Sequence, residues 1–126
     1  MKNKLMLLIF LPCFFLILSS CTPGQNPSAH SLPKYKDKIV LLSNESNYMS
    51  ENAYYDALLE FISKHPAQSG KLKKLNFDNH KKDCKTLNIK EAPALVILSK
   101  NGKVLNRISG TNVTKQAIMK AIQKTL

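Results

Sequence analysis

Ala94-Leu95-Val96-Ile97-Leu98 is an unbroken apolar run with Pro93 in front of it and Asn101-Gly102 behind it. A run this short and this continuous reads as a strand buried on both faces rather than as a helix. Pro93 stands just before the strand, where its missing N–H removes no ladder hydrogen bond. Asn-Gly favours the positive φ angles of a two-residue hairpin turn, so the chain is expected to double back. Val104, Leu105 and Ile108 then form the returning strand, which Ser109-Gly110 closes. Any fold proposed for this chain must accommodate a buried hairpin of this kind.

The elements before and after the hairpin follow from the same signals. Ile39-Val40-Leu41-Leu42 is a second continuous apolar run, read as a central parallel strand. Ser43 to Ser50 is polar and turn-prone. Glu51 to Lys64 is expected to be a helix, with Ser50 as N-cap and Glu51 in the first turn. Its apolar face is Ala53, Tyr54, Ala57, Leu58, Phe61 and Ile62, and Pro66 and Gly70 end it. Leu72 to Phe77 reads as a strand with an exposed lysine face, and Asn79 to Leu87 as a short basic helix carrying Cys84 and Leu87 inward. Thr114 caps a last helix whose Ala117, Ile118, Ala121 and Ile122 face the core.

The order is therefore β-α-β-α-β-β-α over Lys38 to Leu126. With Ile89 four residues ahead of Pro93, the Gly102-Lys103 turn and the terminal helix at matching spacings, it resembles the thioredoxin superfamily. The resemblance implies a minimal thioredoxin-like α/β fold: a mixed four-stranded sheet flanked by helices, without thioredoxin's extra N-terminal strand and helix. It also implies a cis proline at Pro93, facing the site.

Redox members carry Cys-x-x-Cys after the first strand, where a helix N-terminus lowers the first thiol's pKa. Aligning Ile39-Val40 with the family's strand places those two positions on Asn47 and Ser50, so the motif reads Asn47-Tyr48-Met49-Ser50. Leu41 falls where thioredoxin keeps a buried acid. No cysteine lies between Cys21 and Cys84, so a slip of register restores nothing. Thioredoxin-type oxidoreductase activity is not expected, and no catalytic residue or cofactor is assigned. In the family, the loop after the first strand and the proline loop together grip an extended peptide by its backbone. Here that candidate groove is Asn47, Tyr48, Met49, Ser50, Ala92 and Pro93, and it can outlast the thiols because strand pairing needs backbone rather than sulfur.

The start of the chain is of a different kind. Two lysines precede an apolar stretch from Leu5 to Leu18 that ends in Ser19-Ser20-Cys21. That pattern is a secretory signal, too short for the roughly 20 residues of a membrane span. Leu18-Ser19-Ser20-Cys21 resembles the lipobox of bacterial lipoproteins, which implies a diacylglyceryl thioether on Cys21 and an anchor on the extracytoplasmic face of the cell membrane. The plainer alternative is a secreted protein with a free Cys21. Residues 1–20 are read as the signal, 21–37 as the lipidated N-terminus and a disordered tether, and 38–126 as the domain. Pro23, Gly24, Pro27 and Pro33 mark the tether, which as a coil would reach about 20 Å.

With Cys13 in the signal and Cys21 lipidated, Cys84 is left alone, without a disulfide partner. Lys81, Lys82 and Lys85 would favour its thiolate if it were exposed, yet free cysteine is among the most buried residue types. His80 and Cys84 are spaced i, i+4, but two ligands fall short of a zinc site, and His30 and His65 add no third. Copper chaperones of this fold use a cysteine pair that is missing here. Net charge is +11, or +9 without Lys2 and Lys4. Outside a cell such a balance suits lipid headgroups or anionic wall polymers rather than nucleic acid. The favoured function is a non-enzymatic envelope role, binding a wall polymer or another extracytoplasmic protein. The alternatives are a thiol accessory acting through Cys84 and a copper carrier.

Overall fold

The computed structural model describes residues 30–45 and 48–126. The signal, Cys13, Cys21, most of the tether and Asn47 lie outside them. Four strands and three helices follow in the expected order: β1 (Ile39–Ser43), α1 (Asn52–Lys64), β2 (Leu72–Asn76), α2 (Lys81–Thr86), β3 (Ala94–Leu98), β4 (Val104–Ser109) and α3 (Lys115–Gln123). They build one sheet in the order β2-β1-β3-β4. β1 and β2 are parallel, and the β1–β3 and β3–β4 pairs are antiparallel.

Both central strands are buried along their whole length, which is why they read as continuous apolar runs. Alternation divides their side chains between two cores. Ile39, Leu41, Leu95 and Ile97 pack on one face with Tyr54, Ala57, Phe61, Ile118, Met119 and Ile122 from α1 and α3. Val40, Leu42, Ala94, Val96 and Leu98 pack on the other with Tyr35, Leu75, Cys84, Leu87 and Ile89. The Thr114 hydroxyl accepts a hydrogen bond from the Ala117 amide and so caps α3. Met119 takes the inward place expected of Ala117, which is exposed. No helix of the described residues is long and apolar enough to cross a membrane.

The hairpin departs from expectation at its tip. Only Gly102 has positive φ (82°), so Asn101-Gly102 is not a two-residue turn. Gly102 N–H donates to Ser99 C=O (2.9 Å) and Ser99 N–H to Lys103 C=O (2.8 Å), giving a three-residue loop. The Ser99 hydroxyl accepts from the amides of Asn101 and Lys103 and holds that shape. Just beyond, Leu98 pairs with Val104 while Ile97 pairs with Asn106, which leaves Leu105 as a bulge. The bulge turns Val104 to the α2 face while Ile108 stays on the α1 face, and it leaves Leu105 exposed.

A second difference concerns where the folded part begins. The expected boundary was Lys38, yet residues 30–37 pack on the domain. Leu32 N–H donates to Gly102 C=O (2.8 Å), and Val104 N–H to His30 C=O (3.0 Å). Tyr35 is buried in the α2-side core, and its hydroxyl donates to Asp83 Oδ2 (2.9 Å). Lys34 closes the cluster with an ion pair to the same oxygen at 2.7 Å. Burial alone would raise the Asp83 carboxyl; Lys34 and Tyr35 outweigh it and hold it below the usual aspartate value. The proline-rich composition concealed one deeply buried aromatic.

Candidate functional site

At one end of the sheet, the C-terminus of β1, the start of β3 and the end of β4 come together, because β1 Leu42 pairs with Ala94 and Ala94 with Ser109. The candidate groove residues that are described gather here. Ala92 is half-buried, Pro93 is buried, and the peptide bond between them is cis, as the resemblance implied. Pro93 C=O accepts from the Gly110 amide (2.9 Å), and the Tyr54 hydroxyl oxygen lies 3.4 Å from it. Tyr54 donates its single hydroxyl proton to Gly110 C=O (2.9 Å), so one phenol on α1 packs against the proline loop while bonding the residue that follows β4. Burial, with Glu91 and Glu51 nearby, pushes the Tyr54 hydroxyl up to about 12 and keeps it a neutral donor. From the sequence, Tyr54 reads as core packing alone.

The loop after β1 is held by a residue given only a helix-dipole role from sequence. Glu51 is fully buried rather than exposed in a first turn. It ends a 3₁₀ turn, Tyr48–Glu51, directly before α1. Its carboxylate accepts from the Asn44 amide (2.6 Å), the Ser43 hydroxyl (2.9 Å) and the Tyr55 hydroxyl (3.3 Å). A buried carboxylate is tolerated only when hydrogen-bonded in this way. Leu41, at the place of the family's buried acid, is an ordinary core residue. The acid of this end comes from the loop instead. No local pattern in the sequence marks it, because its donors are a backbone amide and two hydroxyls from neighbouring elements.

With the loop fastened from below, its outer side chains project. Tyr48 is 56% exposed and Met49 is 79% exposed, while Ser50 is half-buried. The Lys74 ammonium lies 5.7 Å from the Tyr48 ring centroid and 5.4 Å from that of Tyr55. The Tyr55 hydroxyl beside it holds Lys74 above its usual value against slight desolvation. Lys74 is on β2, and the strand order puts β2 across β1 from β3. Tyr48 therefore leans toward the β2 side of the loop, not over Pro93. The motif's first position, Asn47, is not among the described residues.

Cys84 is not part of this end. It is buried in the α2-side core, where burial, and then Asp83, pushes its thiol up despite the neighbouring lysines. It is the one free cysteine of the described residues. His80 Nδ1 lies 2.9 Å from Asn76 C=O. Among the described residues no three His, Cys, Asp or Glu side chains come together as a metal site. A cavity of about 450 Å³ lies at the hairpin end of the sheet, between Lys38, Lys71 and Leu105, away from the candidate groove.

No protein-family model matches this chain, and no curated protein does. Among solved structures, the X-ray structure of thioredoxin from Fasciola hepatica matches with a TM-score of 0.54. That match has 17% sequence identity and covers 72% of this chain and 84% of the other. Likeness at so low an identity carries the fold and not the activity. With its mixed four-stranded sheet between helices, the chain has the thioredoxin fold.

Proposed function

We propose that this protein is a non-enzymatic binding module, anchored by a lipidated Cys21 to the extracytoplasmic face of a cell membrane. Its site is the loop after β1 together with the proline loop, and its partner is another envelope protein or a wall-associated polymer. One observation carries this reading: Tyr48 and Met49 are held out to solvent on a loop that Glu51 fastens to the sheet. Two neighbouring large apolar side chains displayed from one loop offer a surface that a partner can cover. Asn47 and Ser50 in place of sulfur, and the burial of Cys84, favour binding over thiol chemistry. The excess of lysine suits an anionic surrounding.

Photo-cross-linking in the intact envelope tests the site. A photoreactive residue in place of Met49 should give a discrete adduct, and one in place of Lys120, exposed on α3, should not. The same adduct pattern from both positions would refute the loop as the binding site. Thiol-dependent reductase activity of the purified protein would refute the non-enzymatic reading.

A further inference from the structure

β2 is an edge strand, hydrogen-bonded to β1 on one side only. Phe77 N–H donates to Ser43 C=O, so in a parallel ladder Lys73 and Leu75 turn their backbone groups toward β1. The backbone groups of Leu72, Lys74 and Asn76 then face outward. Leu72 N–H is taken by Ser69 C=O, and Asn76 C=O lies against the His80 ring. What remains is a row of four: Leu72 C=O, Lys74 N–H and C=O, and Asn76 N–H. None of these four makes a backbone hydrogen bond outside the sheet among the described residues.

Beside this row, on the α1 face, runs an apolar groove of about 280 Å³ lined by Tyr55, Leu58, Leu59, Ile62 and Leu72. Leu59 is 66% exposed at its lip. Lys73 and Lys74 complete the rim, and neither is among the ion pairs of the described residues. The side chain of Lys73 falls on the opposite face from Leu72, by the two-residue period of a strand.

We propose that the β2 edge is a second docking site, which takes an extended acidic peptide as a fifth strand. Its backbone pairs with the row of four. Its alternate apolar side chains enter the α1–β2 groove, and the acidic ones between them meet Lys73 on the other face. Lys74 at the mouth of the groove adds a second positive charge. The unmatched backbone row calls for a strand, the groove for apolar residues at every second position, and Lys73 for acids between them. This site borders the loop that carries Tyr48 and Met49, since Lys74 lies against the Tyr48 ring. The backbone row and Lys73 belong to β2 alone, so protection at Lys74 and Asn76 is read independently of adducts at Met49.

The probe is an acetylated octapeptide of alternating valine and glutamate, added to the full-length protein in detergent. Amide hydrogen exchange should slow at Lys74 and Asn76 and stay unchanged at Gly110. A valine–lysine octapeptide should bind at least about tenfold more weakly. Lys73→Glu with Lys74→Glu should reverse that preference, an inversion that a merely unfolded variant cannot produce. Methylating the peptide nitrogens that face β2 should abolish the protection in the unaltered protein. The proposal fails if both octapeptides bind alike, if methylation changes nothing, or if protection appears around Pro93 instead. It also fails if Lys74 becomes protected without peptide as protein concentration rises, which would make a second copy the occupant.

Discussion

Glu51 shows how much one side chain decides at this end of the sheet. Its two oxygens satisfy the first loop amide after β1 and two hydroxyls, one of them fully buried and the other two groups half-buried. Removing a charged acceptor strands those donors, at about 1.5–3 kcal/mol. Glu51→Ala should therefore lose roughly that much stability in a denaturant titration. Amides around Asn44 should exchange faster in the same variant, and Glu51→Gln should retain part of both effects. Cys84 gives the opposite case, a group with chemistry that its surroundings suppress. Because burial raises its thiol, a neutral alkylating reagent should modify it slowly in the native state and rapidly in denaturant. Fast native labelling would revive a thiol-based role. The inward placing of Cys84 was legible from its spacing to Leu87 and from the burial habit of free cysteine. The role of Glu51 was not, because it depends on Ser43, Asn44 and Tyr55 meeting in space.

Among elements, the sequence is most readable where burial is complete. Ile39–Ser43 and Ala94–Leu98 are buried on both faces, so their apolar runs admit one interpretation each. The Thr114 cap of α3 is equally plain, since capping is local. Residues 30–37 join the fold because Tyr35 docks in the α2-side core, a tertiary fact that composition does not carry. The hairpin loop and this segment share one contact that can be tested. A Cβ on Gly102 would lie 2.7 Å from Pro33 Cα, and Gly102 has positive φ. Gly102→Ala should cost at least about 1–2 kcal/mol for the left-handed backbone alone. It should also release residues 30–37, read as faster exchange at Leu32 and Asp37. Between helices, Glu60 of α1 bridges Lys115 of α3 (2.7 Å) and Lys64 (2.9 Å). Lys115, then Lys64, lowers the Glu60 carboxyl to about 2. A carboxyl whose folded pKa lies below its unfolded value stabilises above the unfolded value, and that contribution is lost as pH falls through the folded one. Glu60→Gln should thus flatten part of the fall in stability between about pH 4.5 and pH 2. The effect should be small, because the pair is solvated, and smaller still in about 0.5 M salt.

For the whole molecule, the point where the chain enters the domain matters for the proposed anchor. His30 and Ser31 lie against Lys103 and Val104, at the hairpin end of the sheet. Tyr48, Met49 and Pro93 belong to the other end, one strand length or about 17 Å away. Eight residues lie between Cys21 and His30, a reach of at most about 30 Å even fully extended. If Cys21 carries the lipid, the hairpin end is the one held near the bilayer, and the loop with its exposed Tyr48 and Met49 faces outward. The lysines near the hairpin, Lys100 and Lys103, then lie toward anionic headgroups. The anchor and the orientation have separate tests. Cys21→Ser should leave the precursor uncleaved or release the protein from membranes, and a variant that matures and stays bound would remove the anchor from the account. Orientation is read with a fluorophore on a cysteine introduced at Lys103 or at Met49, in vesicles carrying a headgroup quencher. Cys84, being buried, should take little label. The probe at residue 103 should be quenched more strongly than the probe at residue 49. Equal quenching would mean that the domain tumbles freely on its anchor, and the reverse order would place the exposed loop against the membrane and make lipid, rather than an outward partner, its contact.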